Sequence, residues 1–194
     1  MRYTFAAGFV VLLLLVGAPQ AAAQERWSAD LQGGPAFTTK DFGDAELSSG
    51  LRLDATISYR LQKHLWIYGG WGYHHFNTEN SFAGADIDVE ETGYLLGLRY
   101  QHPMCFSPAA LYIRAGATLN HVELEDNEGE LVSDSEHGVG WEAGAGVSIP
   151  VGSRWSITPG VRFRSLSRDI EIGTATTPVD LNYVSVEAGV SYLF

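Results

Sequence analysis

Leu51-Arg52-Leu53-Asp54-Ala55-Thr56-Ile57-Ser58-Tyr59-Arg60-Leu61 alternates without a fault: odd positions are apolar, even positions polar or charged. A period of two sends alternate side chains to opposite faces of an extended strand, whereas a helix would spread both kinds around its circumference. The same alternation returns at 141–149, 155–164 and 184–194, and less cleanly at 27–37, 65–76, 91–101 and 111–122, which makes eight segments. The polar links between them alternate in length, long at 38–49, 77–90, 123–137 and 167–181, short at 62–64, 102–110 and 150–153.

Composition narrows the choice. The 194 residues suit one domain, and 22 glycines disfavour helix. A formal charge of −11 argues against sequence-independent binding to nucleic acid. The single Cys105 can form neither an internal disulfide nor a cysteine-based zinc site. Eight antiparallel strands of about ten residues, with long loops at one end and short turns at the other, predict a closed all-β transmembrane barrel of the outer-membrane type. A water-soluble eight-stranded barrel would turn its apolar face inward instead.

Two features favour the membrane version. The polar phase carries Arg and small residues rather than Lys. Aromatic residues also gather near strand ends: Trp27, Tyr59, Tyr100, Trp155 and Tyr192 at the short-turn end, Phe37, Tyr73, Tyr94, Trp141 and Phe163 at the other. Such girdles sit at headgroup depth in membrane barrels.

The N-terminus reads as an address. Arg2 supplies a basic start, an apolar stretch runs over 5–16, and Ala21-Ala22-Ala23 offers a small-residue cleavage site. The expected organisation is a cleaved signal peptide at 1–23 and a barrel domain at 24–194. A dozen apolar residues are too few for a spanning helix.

The chain ends Glu187-x-Gly189-x-x-Tyr192-x-Phe194, which resembles the C-terminal assembly signal of Gram-negative outer-membrane proteins. As a whole the sequence resembles the small eight-stranded barrels that include the transmembrane domain of outer-membrane protein A, outer-membrane protein X and the opacity proteins. That resemblance implies insertion by the barrel-assembly machinery, termini in the periplasm, and long loops outside the cell.

The polar phase holds Asp30, Arg52, Asp54, Arg60, Glu91, Arg99, Arg114, Glu142, Arg162, Arg164 and Glu187. Enclosed by eight strands, these residues predict an interior charge network, because an eight-stranded interior is just wide enough for side chains to fill. Facing lipid near the midplane, an Arg would cost about 2–4 kcal/mol. The network is expected to plug the barrel, the alternative being a gate of exchangeable ion pairs on a narrow path for small solutes. Gly70, Gly72, Gly97, Gly116, Gly144, Gly146 and Gly160 share the phase and are expected to make room for the Arg chains.

The long links are acidic, with Asp41, Asp44, Glu46, Glu79, Asp86, Asp88, Glu123, Asp134 and Glu136 among them. Glu125, Asp126, Glu128 and Glu130 are weak candidates for Ca²⁺ or Mg²⁺, but the spacing is not that of an EF-hand. His74 and His75 are strand neighbours on opposite faces and cannot share a metal; His64 and His102 fall on short turns. Ser135-Glu136-His137 offers hydrolase residue types, yet three consecutive residues do not align nucleophile, base and orienter. Nor does the His-x-Ser spacing of lipid A deacylase barrels occur. The expected role is therefore structural or surface-interacting rather than enzymatic, a lipid A-modifying enzyme being a further alternative. No cofactor is implied. The expected partners are outer-membrane lipid and lipopolysaccharide, with an extracellular ligand at the loops, for a monomeric protein.

Overall fold

A computed structural model describes residues 25–39, 46–80, 88–125, 131–172 and 175–194. The strands are β1 (Trp27–Thr38), β2 (Glu46–Gln62), β3 (Leu65–Asn80), β4 (Asp88–Pro103), β5 (Ala110–Glu125), β6 (Leu131–Asp134), β7 (Gly138–Pro150), β8 (Trp155–Ile157), β9 (Gly160–Ile172) and β10 (Ala175–Leu193). Every pairing is antiparallel. β6 and β7 both pair with β5, and β8 and β9 both lie between β7 and β10, so the ten strands make eight staves. The seventh stave is interrupted at Thr158-Pro159, since proline has no N–H to give the ladder. Its neighbours still hold it: Thr158 N–H donates to Gly189 O at 2.9 Å, and Pro159 O accepts from Val147 N–H at 2.9 Å.

β1 pairs with β2 and also with β10, which closes the sheet on itself. Trp27 and Phe194 seal the seam, with Phe194 N–H to Trp27 O at 2.8 Å and Trp27 N–H to Phe194 O at 3.2 Å. Paired residues lead once round the ring from Thr38 through Tyr183, Arg164, Glu142, Gly116, Gly97, Tyr68 and Ser58 to Ser28, ten residues from the start. Eight staves with a shear of ten tilt by about 40° to the barrel axis.

The phase of the sequence decides the two surfaces. Along β2, Arg52, Asp54, Thr56 and Ser58 are buried inside, while Leu51, Leu53, Ile57 and Leu61 are exposed outside. Leu96, Ile113 and Val139 continue the outer apolar belt on β4, β5 and β7. At the end holding the termini, Trp27 packs on Tyr59 and Trp155 on Tyr192, each with ring centroids 4.7 Å apart. At the other end Trp141 and Phe163 lie 5.3 Å apart on the outer face.

The strands run further than the alternation indicates. Parts of all four expected long loops are hydrogen-bonded hairpin, including 46–49 in β2, 77–80 in β3, 123–125 in β5 and 167–172 in β9. The reason is physical: past the lipid belt the outer face meets water and can be polar, while apolar residues such as Val122 and Leu124 turn inward, so the ladder continues where the belt's phase of alternation ends. Inside this end lies an apolar cluster of Ala36, Phe76, Val89, Val122, Leu124, Leu166, Leu181 and Tyr183.

The expected signal peptide at 1–23 lies outside the described residues, as do Asp41, Asp44, Asp86, Asp126, Glu128 and Glu130. The backbones of Glu46, Glu79, Glu125 and Asp134 are described but their side chains are not.

Candidate functional site

Strand phase aims the charged residues of seven staves at one axis, and the chain offers them partners there. Arg162 on β9 is the hub. Its Nη1 donates to Asp54 Oδ2 at 2.8 Å and Glu142 Oε2 at 3.2 Å; its Nη2 donates to Gln32 Oε1 at 2.7 Å and Glu187 Oε1 at 3.0 Å. Two residues on, Arg164 donates to Glu91 Oε1 and Glu142 Oε2, both at 2.8 Å. Arg52 bridges Asp54 and Glu187 and donates to Ser185 Oγ at 2.7 Å. Arg114 reaches Glu142 Oε1 at 2.8 Å and Gln32 Oε1 at 2.9 Å while lying 4.0 Å from the Tyr68 ring centroid.

These four guanidinium groups meet four carboxylates, those of Asp54, Glu91, Glu142 and Glu187, so the centre is charge-balanced. All eight residues are buried. Nearer the termini, Arg99 and Asp30 form a separate pair at 3.3 Å, with Ser28 and Ser58 donating to the same carboxylate. Balance matters because stripping one partner from a buried pair costs about 3–5 kcal/mol.

Arg60 stands apart from this network. It shares the inward phase but sits half-buried at the rim, where it donates to the Glu25 carbonyl and lies 5.3 Å from the Trp66 ring centroid. Phase determines a face, not a depth, and Arg60 lies too close to the strand end to reach the centre.

Other residues that the sequence does not place in the network complete the interior. His74 is buried between Arg164, at 3.2 Å, and the carboxylates of Asp54 and Glu91, at 3.6 and 3.7 Å. Tyr183 donates to Glu91 Oε2 at 2.7 Å and Tyr68 to Glu142 Oε1 at 2.8 Å. Arg168 is buried at the long-hairpin end, with Nη2 on Asn120 O at 3.1 Å and Nη1 on Val139 O at 3.3 Å.

The inward glycines make room chiefly for tyrosines. A Cβ at Gly116 would stand 2.6 Å from the Tyr68 hydroxyl, and Gly97 on the adjoining strand flanks the same group. Gly146 and Gly160 flank the Tyr112 hydroxyl in the same way. Arg162 occupies the space over Gly144, its Cγ 3.2 Å from where a Cβ would be.

The C-terminal motif is distributed over both faces. Glu187 joins the network, Gly189 faces Gln32, and Tyr192 packs outside at a tilt against Trp155 and stacks on Phe194. Ser135 and His137 do not cooperate: the Ser135 Oγ accepts from Val122 N–H at 2.8 Å, while His137 meets His121. Cys105 is exposed on the 104–109 turn. Among the described residues no three or more His, Cys, Asp or Glu side chains converge as a metal cluster.

A closed eight-stave ring with lipid-compatible outer and charged inner surfaces leaves few relatives to consider. The model of the outer membrane protein beta-barrel domain family matches residues 8–194. The chain belongs to that family. Solved structures agree on the fold. Neisserial surface protein A aligns at 20% identity and TM-score 0.59, over 87% of this chain and 96% of that one. OprG from Pseudomonas aeruginosa aligns at 15% identity and TM-score 0.60, over 90% and 99%. Outer membrane protein W from E. coli aligns at 14% identity and TM-score 0.53, over 89% and 100%. Comparison with curated proteins finds no significant match. Membership accounts for the two-faced strands: this outer-membrane barrel crosses its bilayer with strands, and among its described residues no helix is long and apolar enough to do so.

Proposed function

We propose that this outer-membrane barrel is a closed scaffold, its lumen filled by ion-paired side chains, which holds acidic hairpins at the cell surface. The termini face the periplasm, and Glu187, Gly189, Tyr192 and Phe194 guide insertion by the assembly machinery. The hairpins then meet lipopolysaccharide or an extracellular ligand. The observation that carries the reading is the Arg162 guanidinium, which holds four acceptors from four other staves across the barrel axis. The apolar cluster above it adds a second layer.

The test is to shorten the hairpins of β3–β4 and β5–β6 beyond the outer aromatic girdle. Heat-modifiable migration on gels should persist, while lipopolysaccharide or cell-surface binding should fall. Unchanged binding would remove the hairpins from the account.

A second reading is a narrow channel for small solutes, and a specific observation favours it. The hydroxyls of Tyr112 and Thr118 are buried beside the network without a hydrogen-bond partner, places where water would be favoured. Glu142 is also shared by Arg114, Arg162 and Arg164, so partners could exchange in small steps. Conductance separates the two readings. Catalysis is no part of the proposal: the charged residues are neutralised by one another, and Ser135 and His137 point to different partners.

A further inference from the structure

We propose that His121 and His137 form a binding site for one imidazole-preferring divalent transition-metal ion, such as zinc, on the outer surface of the barrel. His121 lies on β5 one rung beyond the outer girdle: Leu119 pairs with Tyr94, and His121 with Thr92. His137 lies in the 135–137 interruption between β6 and β7, held beside β5 by the Ser135 N–H bond to Val122 O at 2.9 Å. The two rings have centroids 4.5 Å apart, and His121 Nδ1 is 3.2 Å from His137 Nε2. Two nitrogens bound tetrahedrally to zinc at about 2.0–2.1 Å stand about 3.3 Å apart, so little movement is needed to share an ion.

Tautomer chemistry supports the same assignment. His121 Nε2 is 2.8 Å from Glu123 Oε1, and a carboxylate can only accept. The proton of neutral His121 is thereby placed on Nε2, and the Nδ1 lone pair turns toward His137. This carboxylate–imidazole arrangement recurs around protein-bound metals, where it orients the ring and raises its basicity. An ion would take the place of the His137 Nε2 proton between the facing nitrogens, that proton moving to His137 Nδ1 so that both rings bind as neutral imidazoles. Two nitrogen ligands favour zinc, nickel or copper over calcium or magnesium, which take oxygen donors. His137 is exposed, so the site is accessible, and water or a headgroup phosphate would complete the coordination.

The experiment uses full-length folded protein in detergent micelles without a histidine tag, titrated with Zn²⁺ against a chromophoric chelator. One zinc per chain is expected, retained in a large excess of Ca²⁺. His121→Ala and His137→Ala should each abolish it, and Glu123→Gln should weaken it about 10- to 100-fold. His64→Ala/His102→Ala at the opposite end, and His75→Ala, should leave it intact. Heat-modifiable migration confirms that each variant is folded. No zinc bound by the wild type, or binding that survives both His121→Ala and His137→Ala, or binding lost with His64, His102 or His75 instead, would overturn the proposal.

Discussion

Arg162 and Arg60 share a residue type and an inward phase, yet depth separates their energetics. Arg162→Ala leaves Asp54, Glu142 and Glu187 with a buried excess of negative charge, and should destabilise the barrel by about 3–5 kcal/mol in urea unfolding from lipid vesicles. Arg60→Ala, at the wet rim, should cost no more than about 1 kcal/mol in the same measurement. Equal losses would mean the network is not what holds the interior. Close approach gives a second test. Gly116→Val would drive two methyl groups toward the Tyr68 hydroxyl, so the folded fraction on gels should drop, and adding Tyr68→Ala should recover part of it. Much of the interior is legible in the sequence because an Arg or Glu in the polar phase of an alternating segment has only one place to go. Arg168 escapes that logic since its neighbours Ser165, Ser167 and Asp169 no longer mark an apolar face. His74 escapes it because a lone inward histidine carries no sign of the two carboxylates beside it.

Strands, taken as elements, follow the sequence within the lipid belt and outrun it above. Between the girdles alternation is obligatory: lipid faces one side and Arg or Glu the other. Leu96 on the outer face of β4 lies near mid-belt, between Tyr94 and Tyr100, and Leu96→Arg should cost about 2–4 kcal/mol in unfolding. A smaller penalty would place that stretch nearer an interface. Beyond the belt, β5 and β6 continue as a hairpin with a polar outer face, while Val122 and Leu124 turn inward into the apolar cluster. Val122 N–H donates to Ser135 Oγ at 2.8 Å while Ser135 N–H donates to Val122 O. Amide exchange at 121–124 should therefore be slow, and Ser135→Ala should speed it selectively at Val122. Fast exchange throughout 121–124 in the wild type would restore the loop that composition indicates. Hairpin length is illegible in the sequence for the same reason that it is tolerated: water accepts a polar outer face, so the apolar-out phase of the belt is lost.

For the whole molecule, a mean hydropathy of −0.03 resembles that of a water-soluble protein only because it averages two unlike surfaces. Eight staves with a shear of ten enclose the buried Arg162 network, with Tyr68, Tyr112 and Tyr183 beside it. Closure was legible from the strand count and link lengths. The pairing of particular charges was not, because it depends on the ring register that brings Asp54, Glu142 and Glu187 to one height around Arg162. The most direct test is current through single molecules in planar bilayers. The wild-type barrel should show no steady conductance. A steady conductance that changes with Arg162→Ala would contradict it and make the network a gate.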